Sequence, residues 1–139
     1  MTTGSQYGIF AQAYKTLNPA QKQAVDTIEG PVMVVAGPGT GKTQILTLRI
    51  ANILLQTQTP PDGVLALTFT EAGVDAMKKR LLKLIGPTAY KIRIFTFHGF
   101  CNDIIHDHPH RFPRIIGAKS LTDIESVKFI REIIDALDL

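Results

Sequence analysis

Three short apolar runs, each followed by a helical pattern, organise most of the chain. Residues 32–36, 64–69 and 92–97 are nearly unbroken apolar stretches with many β-branched residues. Such runs, alternating with helical periodicity, predict strands buried on both faces of a parallel sheet. The order is β-α-β-α-β, so the sequence predicts an α/β fold with helices flanking a parallel sheet.

Apolar spacing and end signals predict the helices. A short helix ends near Asn18, and Asn18 with Pro19 supplies the N-cap and first residue of a helix that reaches about Ile28. Each apolar run is followed by a further predicted helix, at residues 43–55, 74–85 and 100–105.

The helix over residues 74–85 is predicted to have an apolar stripe opposite a basic face. The stripe consists of Val74, Met77, Leu81 and Leu84. The basic residues in and after this helix are Lys78, Lys79, Arg80, Lys83, Lys91 and Arg93. A cluster of this size suits a phosphate-rich partner and equally an ordinary solvated helix face, and charge alone leaves both interpretations open.

The composition excludes several classes of protein. The chain has 139 residues, of which 45% are hydrophobic and 19% charged, as expected for one globular domain or part of one. Its single cysteine, Cys101, offers no disulfide framework and is expected to be buried and reduced. With no signal-peptide pattern, these features indicate a cytoplasmic protein. Polar residues interrupt every long apolar stretch, so no membrane span is expected.

The last predicted helix opens with a capping box and has no stop signal. Thr122 is followed three residues later by Glu125, and the helical pattern is still apolar at Leu137 and Leu139. We therefore expect the chain to be a fragment that contains an incomplete domain. An unpaired sheet edge and an uncovered apolar face would favour self-association of such a fragment.

A glycine-rich segment after the first apolar run carries the strongest chemical signal. It consists of Ala36-Gly37-Pro38-Gly39-Thr40-Gly41-Lys42-Thr43, the pattern of a phosphate-binding loop except that Ala36 stands where Gly is usual. Glycines let successive backbone N–H groups face an anion, and the following helix adds its positive end. We predict that Lys42 contacts the β- and γ-phosphates and that Thr43 holds Mg²⁺. A glycine-rich turn without a ligand is the less favoured interpretation.

Three further segments resemble motifs of the UvrD/Rep/PcrA-like superfamily 1 DNA helicases. Leu17-Asn18-Pro19-Ala20-Gln21 resembles their Q motif, in which the glutamine recognises the edge of adenine. Leu67-Thr68-Phe69-Thr70 resembles motif Ia, and Thr96-Phe97-His98-Gly99-Phe100 resembles the TFHS-like motif. In the family the last two segments line the path of single-stranded DNA. The resemblance therefore implies four DNA-contacting residues: Phe69, Thr70, Thr96 and His98.

The resemblance extends over residues 10–137 and implies a fold and an activity. It implies a P-loop, RecA-like parallel sheet, with residues 1–114 in an ATP-binding subdomain and residues 115–139 at the start of an inserted helical subdomain. The parent protein would be an ATP-dependent DNA helicase of 3′-to-5′ polarity that uses ATP and Mg²⁺ to move along single-stranded DNA and unwind duplexes. Lys42 and Thr43 would be catalytic, and the ATP-binding residues would be Gln21, Ala36, Gly37, Pro38, Gly39, Thr40, Gly41, Lys42, Thr43 and Gln44.

The sequence also departs from the family pattern. Glu71, Ala72 and Gly73 stand where relatives have Asn-Lys-Ala, Gln44 stands where they have Arg, and Gly99 where they have Ser. The acidic Asp-Glu strand that holds Mg²⁺ and activates water is missing, since the nearest match, residues 133–136, lies in a helical pattern. We therefore expect these 139 residues alone to be catalytically incomplete.

Other interpretations of the chemistry remain. His106, His108 and His110 alternate within a Pro-containing stretch that would scatter their rings, so a metal site is not predicted there. A different P-loop nucleotidase would lack the preference for adenine and the binding of single strands. A nucleotide-binding module that regulates without turnover is the second alternative.

Overall fold

The computed structural model describes residues 4–113, 117–118 and 121–137, with side chains from residue 8 onward. These residues contain six α-helices, three 3₁₀ turns and two β-strands. The helices are α1 (Gly4–Lys15), α2 (Pro19–Asp26), α3 (Lys42–Gln56), α4 (Glu71–Ile85), α5 (Phe97–Asp107) and α6 (Asp123–Ala136). The strands are β1 (Leu65–Thr68) and β2 (Arg93–Thr96), and the 3₁₀ turns are Pro61–Gly63, Gly86–Lys91 and Pro109–Arg111.

The two strands form a parallel pair. Their register aligns Leu65 with Arg93 and Thr68 with Thr96, so both strands end at the same edge of the sheet. Helix α4 forms the crossover between the strands and packs against both of them. The strands predicted at residues 64–69 and 92–97 are thereby confirmed, and so is their parallel arrangement.

The hydrophobic core forms where α2 packs on α3, α3 packs on α4, and α4 packs on the two strands. The predicted apolar stripe of α4 is confirmed, since Val74, Met77, Leu81 and Leu84 are all buried. The other core residues are Leu17, Ala24, Val25, Ile45, Leu48, Ile50, Ala51, Ala66, Ile85, Ala89, Ile92 and Ile94.

Polar side chains of α3 hold the end of α2 in place. Asn52 is buried and donates from Nδ2 to the carbonyl oxygen of Val25 at 3.1 Å. Arg49 donates to the carbonyl oxygen of Ala24 at 2.7 Å. These bonds therefore join the helix that precedes the glycine-rich loop to the helix that follows it.

The first predicted strand is wrong for the described part of the chain. Residues 32–36 have no regular secondary structure, and Met33 and Val35 are 88% and 89% exposed. A strand exists through hydrogen bonds to a neighbouring strand, and no described segment pairs with these residues. The described residues therefore form a two-stranded parallel sheet rather than the full RecA-like sheet that the sequence suggested.

The chain divides into two compact units, with the first ending at Cys101 and the second beginning at Asn102. The predicted boundary between residues 114 and 115 lies outside the described residues. In the second unit, α6 begins with the predicted capping box of Thr122 and Glu125. Cys101 is exposed, which corrects the prediction that it is buried, because α5 places none of its residues in the core.

None of the helices in the described ranges is long and apolar enough to cross a membrane.

Candidate nucleotide-binding loop and strand-end surface

The glycine-rich loop ends in a left-handed residue at the start of α3. Gly41 is the N-cap of α3 and has a φ of 83°, and Gly39 has a φ of 74°. Residues other than glycine rarely adopt this backbone conformation. No side chain in the described ranges caps α3. Among the described residues, none accepts a hydrogen bond from the N–H groups of residues 42–44. The helix therefore begins with free donors that suit an anion.

The side chain of Lys42 folds back over this loop. Its ammonium group donates to the carbonyl oxygens of Gly37 at 2.7 Å and Ala36 at 3.1 Å. Thr40 Oγ1 donates to the carbonyl oxygen of Gly37 at 2.7 Å, which closes the loop on itself. Thr43 is half-buried in the first turn of α3. The ammonium group of Lys42 and the backbone donors at the start of α3 thus belong to the same loop.

Gln21 joins the start of α2 to the same loop. Its Oε1 accepts from the backbone N–H of Asn18 at 3.0 Å, and its own N–H donates to Asn18 Oδ1 at 2.9 Å, which completes a capping box. Its Nε2 donates to the carbonyl oxygen of Thr40 at 3.2 Å. The structure therefore brings Gln21 into contact with the glycine-rich loop, at Thr40, which is 19 residues further along the chain.

A cleft of about 280 Å³ lies between the start of α2 and the loop. It is lined by residues from both sides, including Asn18, Gln21, Gly37, Thr40 and Ile45. Gln44 lies close by, since a Cβ built on Gly41 would be 3.7 Å from Gln44 Oε1 and 3.9 Å from Gln21 Nε2. Two side-chain amides therefore meet at Gly41, beside the cleft.

The carboxyl ends of β1 and β2 form a second candidate surface. Thr70 is the N-cap of α4, and its hydroxyl accepts from the N–H of Gly73 at 3.0 Å. The Thr96 hydroxyl accepts from the N–H of Gly99 at 3.0 Å in the same way. Thr96 is buried and His98 is exposed. Thr96 is the last residue of β2 and Thr70 lies two residues after β1, and each fixes the first turn of the next helix.

The structure explains one departure from the family pattern at this surface. A Cβ on Gly73 would lie 2.6 Å from Thr68 Oγ1, closer than real Cβ contacts come. The glycine at this position therefore suits the conformation of Thr68 seen here.

Phe69 and Phe97 lie side by side at this edge. Phe69 is 85% exposed and Phe97 is 44% exposed, and their ring centroids are 5.1 Å apart. Sequence reasoning selected Phe69, Thr70, Thr96 and His98 but missed Phe97. The available signals were its position as the last residue of the strand predicted at residues 92–97 and its place in the TFHS-like segment, and a core aromatic residue is equally typical of a strand end.

Comparison with known proteins places the chain in a family. The UvrD/REP helicase N-terminal domain family matches residues 17–139, and the chain belongs to this family. It is 43% identical over 94 residues to the ATP-dependent DNA helicase PcrA of Bacillus subtilis, a match that covers 68% of the chain and 13% of the relative.

Two further relatives give the same picture. PcrA of Staphylococcus aureus is 45% identical over 89 residues, covering 64% of the chain and 12% of the relative. A probable DNA helicase II homolog of Rickettsia conorii is 46% identical over 92 residues, covering 66% and 14%. The matched part of the chain thus spans only about an eighth of the length of these relatives.

Proposed function

We propose that this chain is the ATP-binding N-terminal part of an ATP-dependent DNA helicase that moves along single-stranded DNA in the 3′-to-5′ direction and unwinds duplexes. The observation that carries the proposal is the start of α3, where Lys42 lies over a loop that ends in left-handed Gly41 and where no described residue accepts from the first N–H groups of the helix. Family membership and the names of the relatives, ATP-dependent DNA helicases, support the same activity.

The residues of the loop fit a nucleoside triphosphate. The N–H groups of residues 42–44 and the positive end of α3 would hold phosphate oxygens. Lys42 would exchange its carbonyl partners for the β- and γ-phosphates, since charged acceptors form stronger hydrogen bonds than carbonyl groups. Thr43 would place its hydroxyl on Mg²⁺, which neutralises charge between the β- and γ-phosphates when bound.

Gln21 keeps enough hydrogen-bonding capacity to contact adenine. A glutamine amide has two N–H donors and two acceptor lone pairs, and one of each is used by Thr40 and Asn18. The remaining donor and acceptor match the N7 and N6 groups of adenine. We place the base in the cleft beside Gln21, with Gln44, Ala36 and Pro38 completing the nucleotide-binding set.

We also propose roles for residues outside the loop. Phe69, Thr70, Thr96 and His98 would contact single-stranded DNA. Residues 1–114 would form the ATP-binding subdomain and residues 115–139 would begin the inserted one, in a cytoplasmic protein. The exposed apolar segment at residues 32–35 supports self-association of the 139-residue polypeptide, because large uncovered apolar patches favour contacts between chains.

The proposal is tested by titrating Mg²⁺–ATP into wild-type protein and the Lys42→Ala variant in a calorimeter. We expect affinity to fall by roughly 30-fold or more, in line with about 2 kcal/mol or more for truncating one partner of a charge pair. Thermal unfolding should be unchanged, because Lys42 is exposed. Lys15→Ala, which removes an exposed lysine of α1, is the matched control.

Equal affinity in Lys42→Ala and wild type would refute the proposed loop. A parallel titration with GTP separates the alternatives, because a Gln21 contact to adenine requires ATP to bind more tightly. Equal binding of both nucleotides would favour a different P-loop nucleotidase.

A further inference from the structure

A second cleft, of about 290 Å³, lies where helices α1, α3 and α4 meet. Each of these helices packs against the other two, so the cleft is bounded by all three. It is about as large as the cleft beside Gln21, and the described lining residues of the two clefts do not overlap. Its volume is close to the lower end of the range for small-molecule sites.

Most of the surface inside this cleft is apolar. Leu48 of α3 and Leu84 of α4 are buried and line it, and Ile9 and Ala13 add the apolar surface of α1. Thr47 also lines the cleft, but its buried hydroxyl already donates to carbonyl oxygens within α3. The body of a ligand held here would therefore contact hydrocarbon, which favours an apolar group.

Two positive charges lie on the α4 side of the cleft. Arg80 and Lys83 are three residues apart, a spacing that places side chains on the same face of a helix. Both are exposed, and no described carboxylate forms an ion pair with either. From α3, Gln44 adds a side-chain amide that has no hydrogen-bond partner in the described ranges. Charge and hydrogen-bond donors are therefore available for an anion.

We infer that this cleft binds a small amphipathic carboxylate, with its apolar body among the three helices and its carboxylate at Arg80 and Lys83. The planar guanidinium group of Arg80 matches the geometry of a carboxylate. The inference does not depend on the proposed function. Because Gln44 also belongs to the proposed nucleotide-binding set, the test separates this cleft from the glycine-rich loop.

Octanoate is the probe, and octylammonium is the comparison with the same apolar body and the opposite charge. The methyl resonances of Ile9, Leu48 and Leu84 are followed by NMR while each compound is titrated into the 139-residue protein. They should shift at lower concentrations of octanoate than of octylammonium. Acetate carries the charge without the apolar body and should leave these resonances unchanged.

Arg80→Gln/Lys83→Gln should weaken octanoate binding by about 2- to 30-fold, the loss of two exposed charge pairs, and should remove the preference over octylammonium. Lys78→Gln/Lys79→Gln is the matched control, because it removes the same charge from exposed residues of α4 that are not among the lining residues. Ala13→Leu keeps both cations and fills part of the cleft, so it should weaken binding of both octyl compounds. Melting curves check that each variant is folded.

Equal losses in the two double variants, or an octanoate affinity that none of these variants changes, would overturn the inference. A loss in Lys42→Ala would place the anion at the glycine-rich loop and would also overturn it. If octanoate does not bind and Arg80→Gln/Lys83→Gln changes the oligomeric state in sedimentation, the cleft is a contact between copies instead. Octanoate binding at this cleft in wild type that fails to bind Mg²⁺–ATP would overturn the proposed function alone.

Discussion

The starts of α3 and α4 show two different ways of ending an apolar segment and beginning a helix. At α4, Thr70 accepts a hydrogen bond from the N–H of Gly73, and Thr96 does the same for α5. At α3, Gly41 takes the left-handed conformation, and no described side chain accepts a hydrogen bond from the first N–H groups. The threonine starts stabilise the fold, whereas the glycine start leaves donors for a ligand.

On the proposed function, the difference separates nucleotide binding, at the start of α3, from helix capping, at the starts of α4 and α5. A capped first turn gains about 1 kcal/mol but loses one of the N–H groups that could hold an anion. A glycine start gives up that stability and keeps its donors. We therefore expect variants at Gly41 to alter nucleotide binding and stability together, and variants at Thr70 to alter stability but not nucleotide binding.

The largest effect is expected for Gly41→Ala. A non-glycine residue in the left-handed region costs about 1–2 kcal/mol, and relaxing that strain would also turn the N–H groups away from the loop. Urea unfolding should show the loss of stability, and calorimetry should show weaker binding of Mg²⁺–ATP.

Gly37→Ala is the matched control within the same loop. Gly37 does not have a positive φ, and its added Cβ would meet only Thr40 Cγ2 at 3.8 Å, an ordinary contact. Stability should therefore change by less than in Gly41→Ala. If both variants lose the same stability, the left-handed conformation is not what makes Gly41 necessary.

A smaller effect is expected for Thr70→Ala. Removing the cap of α4 should lower the free energy of unfolding by about 1 kcal/mol, because the N–H of Gly73 loses its acceptor. Thr70→Ser keeps the hydroxyl and should retain most of that stability. ATP affinity should match wild type in both variants, as measured by the same titration. A loss of ATP affinity without a loss of stability would contradict the separation of the two helix starts.

The strands were only partly predictable, because the same pattern has two outcomes. Residues 64–69 and 92–97 pair with each other, but the equally apolar residues 32–36 are irregular and exposed. Local sequence encodes the tendency to form a strand, whereas a strand also needs a partner to accept its hydrogen bonds. Helix boundaries were closer to prediction, since α2 begins after the predicted N-cap Asn18 and α6 begins at the predicted capping box of Thr122 and Glu125.

The candidate site was predictable where a motif is contiguous. The loop residues follow one another, so their pattern identified Lys42 and Gly41 directly. The bond from Gln21 to Thr40 crosses 19 residues, and only the resemblance suggested that the two segments meet. The exposure of Phe97 was not predicted and Cys101 was expected to be buried, because exposure depends on what packs nearby as well as on residue type.

The smallest effect, a dependence on pH, distinguishes the two capping boxes. The box of α2 uses the neutral amide of Gln21, whereas the box of α6 uses the carboxylate of Glu125. Hydrogen bonds from the Thr122 N–H and hydroxyl, both 2.8 Å, hold the pKa of Glu125 below its ordinary value of 4.5. A lowered pKa means that the carboxylate stabilises the helix start above pH 4.5 and that this contribution is lost as the pH falls through the folded value.

We therefore expect the amide of Thr122 to lose protection from hydrogen exchange when the pH falls below 4.5, after correction for the intrinsic exchange rate. The amide of Asn18, held by Gln21 Oε1 in the neutral box, should show no such loss. Glu125→Gln is the matched variant, because it gives α6 the same type of box as α2 and should remove the dependence on pH. If Thr122 keeps its pH-dependent exchange in Glu125→Gln, another acidic group is responsible and the charged box does not distinguish the two helices.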